Sequence, residues 1–180
     1  MISYHRTKTN QELHEILDLQ RINLFANISD EEKLHQGFLT LQHSFEILKK
    51  MNDACAHCVA KENGKIVGFA LSMLQDFKTD IPLLVPMFTI IDEAIASKKA
   101  PSNYIAMGQI CVDKNHRGKG IFRGLYTYMS VEMKGDFAAI ITEVDTKNIR
   151  SSNAHKSVGF KLLENYTSNN QLWEIIILNI

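Results

Sequence analysis

The sequence lacks an excess of charge of either sign. Among its 180 residues, Lys and Arg together number 20 and Asp and Glu also number 20, so the formal net charge is zero. A chain without net charge provides no general electrostatic attraction for nucleic acid or for an anionic membrane. We therefore expect neither of these among its partners.

Long apolar runs are also missing. Residues 1–10 contain no apolar stretch of signal-peptide length, and no segment approaches the roughly 20 apolar residues of a membrane-spanning helix. The sequence has no internal repeat and no low-complexity segment. Its length suits one domain over residues 1–180 and is short for two. We expect a cytoplasmic globular protein, either a monomer or a homodimer.

Cysteines are few, and they form no complete metal-binding pattern. Cys55 and Cys58 make a Cys-x-x-Cys pair with His57 inside it, a spacing found in redox and zinc sites. A structural zinc site needs a second pair of ligands, and no Cys or His doublet follows. The pair leads directly into an apolar segment, so we expect strand residues there and no metal site.

Hydrophobic periodicity predicts helices and strands in a mixed order. We expect a short strand at 1–5, a helix from about 10 to 26, and a second helix that begins with the capping sequence at 29–32. The apolar stripe of this second helix consists of Leu34, Phe38, Leu41, Phe45 and Leu48. The Asn63-Gly64 pair then predicts a hairpin turn between two antiparallel strands.

All three prolines lie within residues 76–102, the segment that follows the hairpin. Its apolar part, from 83 to 96, predicts a helix. Two interpretations are open. The segment is either a lid or wall of a substrate site, or packing that closes the core.

The second half of the chain predicts a strand at 104–112, a helix from Ile121, and a strand at 137–144. This order makes a right-handed crossover with parallel strands, so the helix N-terminus faces the carboxyl ends of both strands. A helix from about 149 to 158 and a terminal hairpin follow.

The turn between the strand and the helix at Ile121 is suited to a phosphate group. Gly118 and Gly120 allow close backbone approach, and the first N–H groups of a helix favour an anion. Arg117 and Lys119 add positive charge at the same place.

The spacing of the glycines distinguishes three phosphate-binding sequence motifs. A nucleoside-triphosphate loop requires Ser or Thr after Gly-Lys, and Gly120 stands there. A dinucleotide-binding loop requires Gly-x-Gly-x-x-Gly, whereas the third glycine here, Gly124, comes one residue late. The third pattern is Arg/Gln-x-x-Gly-x-Gly/Ala. Arg117 and Gly120 match this pattern, with Phe122 at its last position.

This third pattern resembles the acetyl-CoA loop of the GNAT acyltransferase superfamily. A second region is similar to another signature of the family, through Asn148, Ser151, His155, Gly159 and Phe160. The order of elements also resembles the family over nearly the whole chain. The resemblance implies an α/β (α+β) fold: a mixed, mostly antiparallel sheet of six or seven strands, one parallel crossover pair and flanking helices.

The resemblance also implies an activity, in which an amine attacks acetyl-CoA directly within a ternary complex. The residues implied to bind the cofactor are Ile110, Cys111, Val112, Arg117, Gly118, Lys119, Gly120, Ile121, Phe122, Asn148 and Ser151. His155 occupies the position of a family tyrosine that protonates the leaving thiolate. Glu143 is the candidate base, and Gln109 could orient water. Cys111 is expected to be a core residue and not a nucleophile.

The sequence leaves the acceptor open. A small-molecule amine, an amino acid or a peptide N-terminus is compatible with it. An acyl-CoA-binding sensor without catalysis and a dinucleotide-binding oxidoreductase are alternative functions.

Overall fold

A central sheet organises the fold of the computed structural model, which describes residues 1–180 except for the side chains of residues 33–35. The strands of the described chain are β1 Ser3–Arg6, β2 Cys58–Glu62, β3 Lys65–Met73, β4 Tyr104–Val112, β5 Ala139–Asp145, β6 Lys161–Ser168 and β7 Gln171–Asn179. The helices are α1 Asn10–Asn23, α2 Asp30–His35, α3 Phe45–Ala54, α4 Val85–Ala96, α5 Ile121–Met133 and α6 Ile149–Ser157.

The strand order is β1-β2-β3-β4-β5-β7-β6. In the described sheet, β4 and β5 pair in parallel, and every other neighbouring pair is antiparallel. The predicted mixed, mostly antiparallel sheet with one parallel crossover pair is thus confirmed. The predicted hairpin turn is also present, with Asn63 at φ 51° and Gly64 at φ 81°.

Helices cover both faces of the sheet. Apolar residues of α1, α3 and α4 form one buried cluster, to which Ile16, Met51 and Phe88 belong. Helix α5 covers the opposite face, where Leu125 and Met129 are fully buried. The sheet is therefore the middle layer of three, and the edge where its strands end is the region left for a site.

The predicted second helix is wrong in its extent. Instead of one helix from 29 to 48, α2 and α3 are separated by residues 36–44, which are not helical. The main chain of Leu39 pairs instead with the residues at the end of α1 and just after it, since its N–H donates to Asn23 O at 2.9 Å and its carbonyl accepts from Phe25 N at 2.9 Å. Ser44 then caps α3 by accepting from Ile47 N. These tertiary bonds outweigh the helical periodicity.

Leu34 belongs to the predicted apolar stripe of the second helix, but its side chain lies outside the part of the chain that the structure describes. The first helix also ends earlier than predicted, at Asn23, because Leu24 joins the bridge to Leu39.

Residues 76–102 form packed structure beside the sheet. Pro82 begins a single 3-10 turn, and α4 follows it directly. Met87, Phe88 and Ile91 of α4 are at most 3% exposed and belong to the core. Helix α4 of this segment therefore closes the core on one face of the sheet.

The first helix is tied to the sheet through Glu12. Burial alone would raise the pKa of this carboxyl, but hydrogen bonds from Lys61, from His5 and from the N–H groups of Lys8 and Thr9 lower it to about 2. Lys61 Nζ lies 2.8 Å from the carboxylate. The charged form of Glu12 therefore stabilises the folded state.

We expect Glu12→Gln to lower the free energy of unfolding at neutral pH by about 2 kcal/mol, less than the full pKa shift implies because solvent screens part of the ion pair. The loss should shrink as pH falls from 4.5 towards 2, where the wild-type carboxylate is protonated too. Urea unfolding at several pH values measures this. Asp53→Asn, which removes an exposed pair with Lys49, is the control and should change little; equal losses for both variants would contradict the assignment.

Candidate functional site

The two parallel strands separate at the centre of the molecule. Their pairing runs from Tyr104 with Ala139 to Ala106 with Ile141, and no later pair joins them in the described sheet. Beyond this point β4 remains paired with β3, and β5 remains paired with β7 as far as Asp145. An opening therefore lies between the carboxyl-terminal halves of β4 and β5.

A bulge in β4 accompanies the separation. Ala70 of β3 lies opposite Ile110, but Ser72 lies opposite Met107, so β4 contains one extra residue between these pairs. Such a bulge bends its strand and changes the direction of the following side chains. It lies at Gly108 and Gln109, at the start of the opening.

Two cavities of about 310 Å³ each adjoin this opening. The loop pocket is bounded by the loop at 116–120, by the first turn of α5 and by α6 along its length. The strand pocket is bounded by the ends of β4 and β5, by Leu83 and Leu84 and by the β6–β7 turn. Both cavities are lined by Phe38, Leu39, Ile110, Asn148 and Ser151. They are therefore neighbours that share one wall.

The loop pocket presents backbone donors at the start of α5. Gly118 and Gly120 have φ of 76° and 78°, and a Cβ at either position would meet no atom within 4 Å. Their left-handed backbone shapes the loop, and in the described chain the N–H groups of residues 117–122 donate to no protein acceptor. These donors at a helix N-terminus form a site for a phosphate group.

The guanidinium of Arg117 is held by the protein. It donates to Val112 O at 3.2 Å, to Gln36 Oε1 at 2.9 Å and to Asn23 Oδ1 at 2.7 Å. Arg117 therefore fixes the loop to α1 and to the 36–44 segment while its charge borders the pocket. Lys119 is exposed and is not among the residues that line the pocket.

Phe122, the departure from the glycine or alanine of the family pattern, turns towards other rings. Its ring centroid lies 5.2 Å from Tyr126 and 5.1 Å from His155, both in edge-on geometry. Phe160 completes this aromatic cluster, 5.2 Å from His155. The ring of Phe122 thus packs between α5 and α6, although part of it lines the loop pocket together with Ile121.

His155 is 2% exposed, and both of its ring nitrogens have partners. Nε2 lies 2.8 Å from the Tyr126 hydroxyl, and Nδ1 lies 2.8 Å from Ser151 O. Burial lowers the pKa of His155 to about 4, although the bond with Ser151 raises it slightly. The imidazole is therefore neutral near pH 7, and a neutral imidazole with both nitrogens engaged is a poor proton donor.

Glu143 faces the strand pocket from β5. Burial raises the pKa of this carboxyl to about 7, although the hydroxyl of Tyr166 donates a hydrogen bond that lowers it. A carboxyl with a pKa near neutrality can accept and release protons under physiological conditions. A carboxyl group that can exchange protons near neutral pH therefore lines the strand pocket.

Asn148 and Ser151 connect the two pockets. The side chain of Asn148 caps α6 by accepting from Ser151 N, and its Nδ2 donates to Phe38 O at 3.1 Å. The amide thus holds the shared wall in place at the start of α6.

The three predicted strand residues line the loop pocket. Ile110 borders both cavities, while Cys111 and Val112 border the loop pocket. Burial raises the pKa of the Cys111 thiol to about 12, so a thiolate nucleophile is disfavoured there. Gln109 differs from its expected role of orienting water, because its Nε2 donates to Leu41 O and its Oε1 accepts from Gln20.

Several lining residues had no signal in the sequence. Phe38 and Leu39 belong to a segment that the periodicity assigned to a helix, and Asn23 looked like an ordinary helix residue. Tyr166 and Trp173 lie opposite each other on the terminal hairpin. Only the register of strands distant in sequence brings them to the pocket, so a local pattern could not identify them.

The cysteines lie apart from both pockets, except for Cys111. Cys55 and Cys58 are free thiols, and Cys58 is buried in β2. Among the described residues, no group of three or more His, Cys, Asp or Glu side chains could hold a metal ion. No helix in the described part of the chain has the length and apolarity needed to cross a bilayer.

Comparison with known proteins gives the same architecture. A family model described as "Acetyltransferase (GNAT) family" matches residues 13–160. The search of curated proteins found no match to this sequence.

Similar solved structures include the yncA protein of Salmonella typhimurium with its cofactor acetyl-CoA, at a TM-score of 0.65 and 13% identity, covering 99% of this chain and 94% of that one. An N-acetyltransferase from Staphylococcus aureus has a TM-score of 0.61 and 18% identity, with 99% and 98% covered. The NatC complex bound to Gag peptide and CoA has a TM-score of 0.66 and 15% identity, again with 99% and 98% covered.

The buried environment of His155 predicts the pH range in which its imidazole becomes protonated. Since burial disfavours the charged imidazole, we expect His155 to stay neutral until about pH 4, and the folded state to lose stability as pH falls from 6.5 towards that value. Imidazole NMR spectra across this range measure the midpoint, with His155→Gln to assign the resonance. A midpoint near 6.5 for His155 would contradict the buried, neutral assignment.

Proposed function

Because the family model covers most of the chain, the protein belongs to the GNAT acetyltransferase family, and we propose that it moves the acetyl group of acetyl-CoA to an amine of a small molecule or peptide. The observation that carries this proposal is the pair of adjoining pockets at the separation of β4 and β5. One pocket offers donors for a phosphate, and the other offers a base. Two reactants could therefore meet along the shared wall.

The loop pocket fits the cofactor that the family implies. The unpaired N–H groups of residues 117–122 suit a pyrophosphate, and the open space at Gly118 and Gly120 lets it approach the backbone. Arg117 and Arg150 add positive charge to the lining. Ile110, Cys111 and Val112 would line the path of the pantetheine arm towards the opening.

Acetyl-CoA supplies the acetyl group as a thioester, whose thiol leaves with a proton once the amine nitrogen is acetylated. We assign the base to Glu143, since an ammonium must lose a proton before its nitrogen can attack. The Tyr166 hydroxyl orients this carboxylate. Direct transfer in a ternary complex suits the site, because Cys111, the only thiol among the described residues that line the pockets, has a raised pKa.

We propose that His155 acts mainly as a packing and positioning residue. It links Tyr126 to Ser151, and Ser151 lines both pockets. The role of proton donor, which the family resemblance implies for His155, stays a prediction. The expected cytoplasmic location and oligomeric state also stay predictions.

Among the alternatives, a non-catalytic acyl-CoA sensor shares the loop pocket but does not use Glu143. The oxidoreductase alternative lacks support, because a dinucleotide-binding domain needs successive parallel crossovers, and the described sheet contains one parallel pair. The NatC structure with its peptide is compatible with a peptide acceptor here, although that similarity shows only the fold.

Thermal unfolding with acetyl-CoA, CoA, NAD and NADP tests the cofactor. A ligand that binds the native state raises its stability, so we expect acetyl-CoA and CoA to raise the midpoint and the dinucleotides to leave it unchanged. Gly120→Ala should weaken acetyl-CoA binding about tenfold, because alanine resists the left-handed backbone that the loop requires.

Gly135→Ala is the matched control, since Gly135 does not have a positive φ and a Cβ there meets no atom within 4 Å. It should bind acetyl-CoA as the wild type does. Stabilisation by NAD or NADP without stabilisation by CoA would refute the acetyltransferase proposal.

The assignment of Glu143 predicts a pH dependence. Since only the carboxylate can accept a proton, the rate of acetylation should rise with pH through about 7. Glu143→Gln should reduce kcat about 100-fold and remove that rise, while acetyl-CoA affinity stays the same. A thiol-release assay measures both. Asp136→Asn, an exposed acid outside the pockets, is the control, and an unchanged pH profile in Glu143→Gln would exclude Glu143 as the base.

A further inference from the structure

The strand pocket is charged with one sign only. Of the described residues that line it, Glu143 and Asp145 carry carboxylates, and none is a lysine or arginine. The lining histidine, His155, is held neutral by burial, which lowers its pKa. No lining cation is therefore available to pair with a negative group on a bound molecule.

The arginines of the adjoining cavity, Arg117, Arg123 and Arg150, line only the loop pocket. Arg117 already donates to Val112, Gln36 and Asn23, so its guanidinium is engaged on the far side of the shared wall. Arg150 lines only the loop pocket, where the proposed cofactor brings its own negative charge.

The remaining lining residues of the strand pocket are uncharged and divide between polar side chains and apolar or aromatic ones. The apolar and aromatic ones include Phe38, Leu41, Leu83, Leu84, Met107 and Trp173. Leu83 and Leu84 come from the 76–102 segment, which thus contributes a wall to the pocket. A volume of about 310 Å³ lies at the low end of small-molecule sites, which span roughly 300–1,000 Å³.

From this combination we infer that the acceptor is a small primary amine on an apolar or aromatic skeleton, with no carboxylate beside the amine. The inference rests on the proposed acetyl transfer and narrows its substrate class. The ammonium form of such a molecule pairs with Glu143 as it enters, and its skeleton packs against the leucines and Trp173. A free amino acid would place its carboxylate next to two acidic side chains without a counter-ion, and this like-charge contact opposes binding.

Three acceptors with the same ring test this: 2-phenylethylamine, L-phenylalaninamide and L-phenylalanine. Their kcat/KM values with acetyl-CoA are compared after correction for the deprotonated fraction of each amine at the assay pH. We expect phenylalanine to be at least about 100-fold poorer than the other two, the scale of discrimination that like-charge contacts provide. Values for phenylalanine within threefold of phenylalaninamide would overturn the inference.

A variant can weaken the discrimination against phenylalanine. Thr40 is exposed at the rim of the strand pocket, so Thr40→Lys places a cation there and should narrow the preference against phenylalanine about tenfold. Val131→Lys adds the same charge at a residue that lines neither pocket and is 70% exposed, and it should leave the preference unchanged. Equal effects of the two lysines would contradict a local charge mechanism.

Three further outcomes bear on the inference. A peptide amide beginning with phenylalanine that reacts tenfold faster than phenylalaninamide would overturn the small-molecule part of the inference. If acetyl-CoA stabilises the protein but none of these amines reacts, the inferred acceptor class is wrong while the cofactor assignment stands. If acetyl-CoA does not bind either, the proposed function itself fails.

Discussion

The loss of main-chain pairing between β4 and β5 is the constraint on which the candidate site depends. After Ala106 and Ile141 the two strands separate, yet each keeps its hydrogen bonds to the strand on its other side. The bulge at Gly108 and Gln109 accommodates this separation without removing β4 from the sheet. Backbone groups that would be costly to leave unpaired in a core are thereby placed beside a cavity where a ligand can reach them.

The 36–44 segment makes this opening into two pockets. Three side chains from separate elements form hydrogen bonds to this segment. Asn148 and Gln109 donate to the main-chain carbonyls of Phe38 and Leu41, and Arg117 donates to the side chain of Gln36. Each bond joins the segment to an element that also borders a pocket. The wall shared by the proposed cofactor and acceptor is therefore positioned by the same residues that shape their sites.

Local sequence signals were sufficient for the parts of the fold that depend on backbone chemistry. Gly118 and Gly120 identified the loop and Asn63-Gly64 identified the hairpin, because each of these residues is needed for the backbone of its own turn. The features of the fold that could not be predicted from the sequence depend on contacts between residues far apart in the chain. The 36–44 segment follows helical periodicity, but its Leu39 forms a bridge with Leu24 instead. Tyr166 lies beside Glu143 only because of the register in which the strands pair.

A crystal structure of the complex with acetyl-CoA tests the central claim most directly, namely that the separated strands and the loop form one cofactor site. The account predicts a pyrophosphate bound by the N–H groups of residues 117–122, with the pantetheine arm running along Ile110 to Val112 and the acetyl group at the wall shared with the strand pocket. A pyrophosphate bound elsewhere, or an acetyl group directed away from Glu143, would contradict it.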